Sequence, residues 1–485
     1  MRTRLLYAGF CLLSAAIGAC DRAAAPEKRA DGHASRPPNI IVIVSDDQAA
    51  RTLGVDGNAH IRTPCIDRLA AEGAFFARAY VPLPQCAPSR AAMLTGRYPH
   101  RLGVLTNVEG GVPADAATIA QVLRPSGYRC GLIGKWHLGD ESRQQGGFDD
   151  AWIVREHDPA RAREKYTDPV LLVNGVRRQE KGYLTDILTQ YAIEFVRASD
   201  KRPCFLWLAH FSPHEPLAPP PDSRHAYSPA DVPLPASISD DLSGKPAQQR
   251  RSACHAEFER VGLPEVRWRC AQYYSMISAL DENVGRLVDA LRADGRERDT
   301  IVFYLSDNGW LNGEHQLHDK GPFFYDELIR TPLIAWAPGR IKPGQRIGAL
   351  VSSIDLLPTI AGLAGVAAPA GVDGVDFWPL VAGSKQSVRD ELYLVYAEKL
   401  SSAEFEPMLG VVTSRHKYSR YMSDGAEELY DLAADPFELR NLVAAAESAA
   451  ALGDLRARVD RFAAGFQDPF WLHPPTQPSG EDGGE

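Results

Sequence analysis

The sequence predicts an α/β fold: a large, mostly parallel β-sheet sandwiched by helices, with a smaller C-terminal α+β subdomain of antiparallel sheet plus helix. Two observations carry that prediction. First, four apolar runs of strand length each lead into polar residues able to do chemistry. Residues 40–44 lead into Ser45-Asp46-Asp47, 130–133 into Gly134-Lys135-Trp136-His137, 204–209 into His210 and His214, and 300–305 into Ser306-Asp307-Asn308. Continuous rather than alternating apolar runs suit strands covered on both faces. Second, helical patterns intervene at 63–72 (closed by Gly73), at 183–198, and at 273–293 (closed by Gly295). Ligands of open parallel sheets bind at the carboxyl ends of the strands. The four polar tails are therefore expected at one centre.

Taken in chain order, residues 1–19 read as a signal peptide. Arg2 and Arg4 precede an apolar stretch over 5–17 that is too short to span a bilayer. Ile17-Gly18-Ala19-Cys20 resembles a bacterial lipoprotein processing box, with Cys20 as the lipidated residue; a plain secretory signal cleaved near Ala23 to Ala25 is the alternative. Residues 20–38, rich in Ala, Pro and charge, form a flexible tether. The main domain spans 39–383. Within it, Cys86-Ala87-Pro88-Ser89-Arg90 stands at the start of a short helical pattern stopped by Gly96. A helix N-terminus offers free N–H groups to an anion, and Arg90 adds a bidentate donor. Residues 213–268, rich in Pro, Ser, Asp and Arg, read as a long surface excursion beside the site and, with the stretch from Trp310 to Tyr325, as the place of substrate selection.

From 384 to 475 the grammar changes to short strands near 391–396, 410–413, 417–422 and 428–430, then a helix over 444–466. Residues 476–485 read as a disordered tail. The expected location is exported, in the periplasm or cell envelope, lipid-anchored at Cys20. The only expected membrane contact is that anchor.

The net charge of −9 argues against nucleic acid as a partner. It does not exclude an anionic substrate, because a local cluster of cations can hold one inside an acidic protein. Of the eight cysteines, Cys130 and Cys204 sit in strand patterns and read as buried thiols, while Cys254 and Cys270 flank a polar segment and could pair in an oxidising compartment.

Asp46, Asp47 and Asp307 with Asn308 offer three carboxylates and an amide. Such an all-oxygen set suits Ca²⁺ or Mg²⁺ rather than zinc or copper. Either pair alone could merely cap a turn. Two pairs after two buried-strand patterns, beside a Cys–Arg anion site, favour the cation. Asp355, after Ser352-Ser353-Ile354, reads as a helix-starting residue, and His315 and His318 either line the pocket or lie on the surface.

The run from Cys86 through Arg90, continuing through Leu94-Thr95-Gly96-Arg97, resembles the first signature of the type I, formylglycine-dependent sulfatases of the alkaline phosphatase superfamily. Gly127-Tyr128 with Gly134-Lys135-Trp136-His137-Leu138-Gly139 resembles the second, although Cys130 stands where the family usually has Thr. Glu428-Leu429-Tyr430-Asp431-Leu432, Asp435-Pro436 and Asn441-Leu442 are also typical, so the resemblance runs from about residue 39 to 442.

The resemblance implies a sulfuric ester hydrolase that releases sulfate from a sulfated small molecule or glycan. It implies that a formylglycine-generating enzyme converts Cys86 to 3-oxoalanine, whose hydrate attacks sulfur and later expels sulfate as the aldehyde re-forms. Asp46, Asp47, Asp307 and Asn308 would hold one divalent cation, usually calcium, with position 86 completing the shell. Arg90 would hold the hydrated aldehyde, and Lys135 and Lys320 would clamp sulfate oxygens. His137 would orient the diol or take its proton. His214 would protonate the departing oxygen or polarise the bridging one.

A cysteine phosphatase needs a longer loop between Cys and Arg than the three residues here, and needs no such ligand set. A phosphonate or phosphate ester hydrolase of the same superfamily, and a catalytically silent glycan-binding lipoprotein, remain as alternatives.

Overall fold

A computed structural model of the chain describes residues 37–107, 111–155, 165–198, 200–399 and 405–466. The signal, the tether up to residue 36, and the tail lie outside the described residues. The strands in chain order are β1 (Asn39–Ser45), β2 (Ala74–Phe76), β3 (Ala79–Tyr80), β4 (Arg129–Gly134), β5 (Ala151–Arg155), β6 (Val170–Val173), β7 (Val176–Gln179), β8 (Cys204–Ala209), β9 (Thr300–Ser306), β10 (Leu311–Asn312), β11 (His318–Asp319), β12 (Leu333–Trp336), β13 (Gln345–Ile347), β14 (Val351–Ser352), β15 (Glu391–Lys399), β16 (Phe405–Thr413), β17 (His416–Tyr421) and β18 (Glu427–Asp431).

Ten of them form one sheet in the order β13-β2-β12-β9-β1-β8-β4-β5-β6-β7. Its middle, β9-β1-β8-β4-β5, is parallel throughout. β12 enters antiparallel between β9 and β2, and the β6–β7 hairpin closes the far edge antiparallel. The apolar runs are continuous because both faces are buried. Ile40, Val42 and Val44 pack with Phe205, Trp207, Ile301, Phe303 and Leu305 on one side. Ile41 and Ile43 pack with Leu206, Leu208, Val302 and Tyr304 on the other. Three of the four predicted chemistry-bearing strands lie side by side as β9, β1 and β8, and β4 flanks β8, so their carboxyl ends share one edge.

Helices predicted at 63–72 and 183–198 form at Pro64–Glu72 and Leu184–Arg197. The third differs. A helical stretch spans Ala253–Ala293, broken at Gly262, whose φ of +71° only glycine adopts readily, and resumed with Pro264 in the first turn after the break. The last 16 residues of the expected surface excursion, 253–268, are thus part of this helical stretch. Its apolar stripe of Val266, Cys270 and Ala271 is narrow and interrupted by Arg and Trp, which hides the period. Cys254 and Cys270 carry no disulfide, and Cys130 and Cys204 are buried thiols as read. Asp355 ends a 3-10 turn leading into the helix Leu356–Ala364 and accepts the backbone N–H groups of Ser352 and Val375, a capping role. Among the described residues no helix is long and apolar enough to cross a membrane.

The C-terminal strands form the antiparallel sheet β15-β16-β17-β18. The helix Ala449–Ala463 covers it through Leu452, Leu455 and Val459. A buried ion network ties this sheet to the main domain. Lys417 Nζ on β17 lies 3.0 Å from Asp326 Oδ1 and 2.6 Å from Glu438 Oε1, and Asp326 also binds Arg330 at 2.9 Å. Removing one partner of a buried network leaves the others with uncompensated charge. Lys417→Met is therefore expected to destabilise the protein by about 3–5 kcal/mol. The shift of the urea unfolding midpoint measures it, and a loss below about 1 kcal/mol would show that the network contributes no more than a surface pair.

Candidate active site

Each predicted polar tail reaches the same edge. Asp46 and Asp47 follow β1 directly, and Asp47 takes the left-handed backbone region (φ 66°), which Asp tolerates and few other residues do. Asp307 and Asn308 follow β9. Lys135 follows Gly134, whose φ is +111° and where an added Cβ would lie 1.8 Å from the Ala209 carbonyl oxygen, so no side chain fits between β4 and β8 there. The helix Cys86–Thr95 starts on the thiol residue itself and ends at Gly96 (φ 68°). It is tied down by Ala87 N–H donating to Asn107 Oδ1 at 3.0 Å and by Ser89 Oγ donating to the Asp307 carbonyl.

Cys86 Sγ lies 3.7 Å from Oδ1 of both Asp46 and Asp47, and 3.0 Å from Lys320 Nζ. Lys320 Nζ is also 2.7 Å from Asp47 Oδ1. Lys135 Nζ spans the two Asp46 oxygens at 2.9 and 3.1 Å. Arg90 Nη2 lies 2.7 Å from Asp307 Oδ2 and 3.6 Å from Asp46 Oδ1, while Nη1 donates to the Lys135 carbonyl at 3.1 Å. Asp307 Oδ1 accepts the Asp47 backbone N–H at 3.0 Å, and Asn308 Nδ2 donates to Asp47 Oδ1 at 2.6 Å. Three carboxylates and three cations, all of them buried or nearly so, form one cluster.

Burial sets the electrostatics and the partners modulate it. Burial works to raise the Asp46 carboxyl, but Lys135 above all, with Arg90, holds it well below the usual range. For Asp307 burial wins over Arg90 and lifts it to about 7. Burial would lower Lys135 and Lys320, yet Asp46 and Asp47 keep both cationic. The Cys86 thiol is pushed up to about 12, chiefly by burial. An unmodified Cys86 is therefore a thiol at neutral pH, not the thiolate that a cysteine phosphatase requires.

His137 lies beside this group in a left-handed conformation, its backbone N–H donating to Glu141 Oε1 at 2.9 Å. Burial and the charges of Lys135 and Arg90 push it down to about 2, so it is neutral. His214 Nε2 is 3.7 Å from Asp47 Oδ2; burial and Lys165 keep this ring neutral as well.

The donor set fits a hard cation. Asp47 Oδ2 and Asn308 Oδ1 are buried without a hydrogen-bond partner, and Asp307 Oδ2 has only the poorly aligned Arg90 guanidinium. Buried oxygens of this kind are costly unless something electropositive meets them. Asp46, Asp47, Cys86 and His214 each bring a donor atom within 4.8 Å of the others. Asp307 and Asn308 join through Asp47.

His315 and His318 are both buried rather than on the surface. His315 bonds Asp240 at 2.8 Å and stacks on Tyr325, packing behind the site, whereas His318 meets Glu215 at 3.4 Å and the edge of Trp310. Two further residues stand at the site. Trp310 faces His214, with Lys320 Nζ 5.4 Å over its ring, and Lys165 Nζ is 3.0 Å from His214 Nδ1. Trp310 heads the 310–325 stretch that the sequence marks as a substrate determinant, whereas Lys165 was missed. Lys165 stands in the charged run Arg161-Ala162-Arg163-Glu164-Lys165, which looks like any solvated segment.

Comparison with known proteins matches residues 38–366 to the family model described as sulfatase, and 313–464 to that described as N-sulphoglucosamine sulphohydrolase, C-terminal. The chain is 30% identical over 478 residues to an N-acetylglucosamine-6-O-sulfatase of Bacteroides thetaiotaomicron, covering 86% of this chain and 84% of the relative. It is 27% identical over 449 residues to an ulvan-active sulfatase of Formosa agariphila, covering 89% and 82%. A solved structure in complex with its substrate D-glucosamine-2-N,6-O-disulfate superposes with a TM-score of 0.81 at 28% identity, over 91% of this chain and all of that one.

Proposed function

Because the chain belongs to the sulfatase family of the alkaline phosphatase superfamily, and is a sulfatase, we propose that it hydrolyses the sulfate ester of a sulfated amino sugar. Position 86 then acts as formylglycine, beside a calcium ion held by Asp46, Asp47, Asp307 and Asn308. The observation that carries this reading is the convergence of Lys320, Asp46 and Asp47 on Cys86 Sγ, next to buried oxygens that lack partners. The sugar is supported by the relatives, one an N-acetylglucosamine-6-O-sulfatase and one solved with a glucosamine disulfate. In this reading the enzyme works at the cell envelope, anchored at Cys20 through the tether 20–38, with a catalytic domain at 39–383 and a subdomain at 384–475.

When bound, the cation neutralises the carboxylates and polarises the nucleophile, and the formylglycine hydrate supplies that nucleophile and a route for expelling sulfate. The chain's own residues do the rest. Arg90 holds Asp46 and Asp307 in place and neutralises part of their charge. Lys135 and Lys320, fixed by Asp46 and Asp47 beside position 86, present ammonium groups where sulfate oxygens gather charge. His137, neutral and half-buried, orients the nucleophile. His214 faces the bridging oxygen, and Trp310 with His318 walls the side from which the sugar approaches.

The test is sulfate release by enzyme produced together with a formylglycine-generating enzyme. The panel comprises glucosamine 6-sulfate, galactosamine 6-sulfate and sulfated algal oligosaccharides, with matched phosphate and phosphonate esters. A sulfated amino sugar is expected to turn over fastest. Faster turnover of a phosphonate would move the chain's chemistry to that ester, and an unmodified, alkylatable Cys86 in protein from the native host would support a silent glycan binder.

A further inference from the structure

Tyr273 takes no part in the chemistry above, yet its hydroxyl touches the backbone of a turn that carries one of the carboxylates. It stands in the half of the long helix that resumes after Gly262, and it is 3% exposed. β1 ends at Ser45, and the chain then bends through Asp47 at a φ of 66°. A left-handed aspartate persists only where its surroundings fix it. Three side chains do so on consecutive backbone N–H groups. Asp47 N–H donates to Asp307 Oδ1 at 3.0 Å, Gln48 N–H to Ser306 Oγ at 2.9 Å, and Ala49 N–H to the Tyr273 hydroxyl at 2.9 Å. The same hydroxyl donates its own proton to the Asp47 carbonyl at 2.6 Å. A hydroxyl carries one proton and two lone pairs, so both bonds form at once and their directions are fixed. The first two contacts come from the end of β9 and its tail, one of them from Asp307 itself. Tyr273 fastens the turn from outside the sheet. It bridges a carbonyl and the N–H two residues on, the pair that a three-residue turn would join directly.

We propose that Tyr273 is a positioning residue for the cation site: by closing the 47–49 turn it keeps the Asp47 carboxylate in place and so sets how tightly the site holds calcium. This rests on the reading of Asp47 as a cation ligand. At its side-chain end that carboxylate is held by Lys320 Nζ at 2.7 Å and Asn308 Nδ2 at 2.6 Å. Both contacts fall on Oδ1 and compete with a cation for it, so the backbone has to carry the orientation of the ligand. Without the hydroxyl, the Asp47 carbonyl and the Ala49 N–H lose this partner in a buried setting, and the turn shifts to recover one. Partners behind a metal ligand govern affinity in this way.

The experiment measures calcium binding by isothermal titration calorimetry on chelator-treated wild type, Tyr273→Phe and Tyr274→Phe. Tyr274 is the control: it is next on the same helix, but its hydroxyl accepts a bond from Asn58 Nδ2 at 2.7 Å rather than from the ligand turn. Tyr273→Phe is expected to weaken the calcium Kd by about 10–100-fold, the range for partners behind a metal ligand. Tyr274→Phe should leave it unchanged. Saturating calcium should restore the kcat of Tyr273→Phe, because the reacting groups are intact. An unchanged Kd in Tyr273→Phe, even with a lowered Tm, makes the hydroxyl merely structural and overturns the proposal; equal weakening in both variants does so too. Should Tyr273→Phe fail to fold, amide hydrogen exchange of the wild type decides. Coupling is reciprocal, so calcium must slow exchange at the Ala49 N–H, and an unchanged rate refutes the proposal. A wild type that binds no calcium defeats the cation reading itself. A wild type that binds it no more tightly than Tyr273→Phe defeats this inference alone.

Discussion

Cys86→Ala is expected to lower sulfate release by at least about 10⁴-fold, the scale on which removal of a covalent nucleophile acts. Among the described residues, Sγ of Cys86 is the atom on which Lys320, Asp46 and Asp47 converge. The thiol cannot substitute for its matured form, because burial pushes it up to about 12 and leaves almost no thiolate at neutral pH. Cys86→Ser should therefore be inactive too wherever serine is not itself converted. The fold should survive, since alanine removes one buried atom, worth no more than about 1 kcal/mol. Ion chromatography of released sulfate measures the loss, and a unimodal melting curve near that of the wild type confirms that the protein is intact. Residual turnover above about 1% of wild type would place the nucleophile elsewhere.

How much of this was legible in the sequence depends on how locally each feature is encoded. The four central strands could be read because both faces are buried, and a run such as Ile40-Ile41-Val42-Ile43-Val44 has no other comfortable environment. Their carboxyl-end residues came with them, since strand direction in a parallel sheet decides which end meets the ligand. The edge strands were not legible. β7 is Val-Arg-Arg-Gln, exposed throughout, and is a strand only because it pairs with β6. The broken helix over Ala253–Ala293 was half seen, because Gly262 and Pro264 look like the punctuation of a loop. In the site, residues inside contiguous motifs were found. Lys165 was not, because its meaning comes from a loop some fifty positions away that the fold brings against it. Local pattern encodes the scaffold and the reacting groups, whereas the groups that tune them are encoded by tertiary contact.

Stripping divalent cations is expected to lower turnover by about 10³-fold or more, given that one lost electrostatic contact costs 10²–10³ and several are lost together. Asp46, Asp47 and Asp307 place three buried carboxyl groups around one point, and Lys135, Lys320 and Arg90 are drawn onto them. In that arrangement the two lysines are engaged by the protein's own carboxylates and compete poorly for a sulfate group. Asp47 Oδ2 and Asn308 Oδ1 are buried and accept no hydrogen bond among the described residues. A dication satisfies those oxygens and neutralises the carboxylates, so that the lysine charge becomes available to the substrate. Without it, the cavity carries both a desolvation cost and a misdirected pair of clamps. Calcium should also stabilise the fold, by about 2.7 kcal/mol at a hundredfold excess over its Kd, read as a rise in Tm on titration into chelator-treated enzyme. Elemental analysis must first show that the ion is gone. If activity and Tm then stay unchanged, the carboxylates are balanced by the lysines and Arg90 alone, and those cations are structural rather than substrate-directed. Restoration by Ca²⁺ at lower concentration than Mg²⁺ would fit a site whose ligands, spread over two strand ends, do not enforce the tight octahedron that magnesium demands.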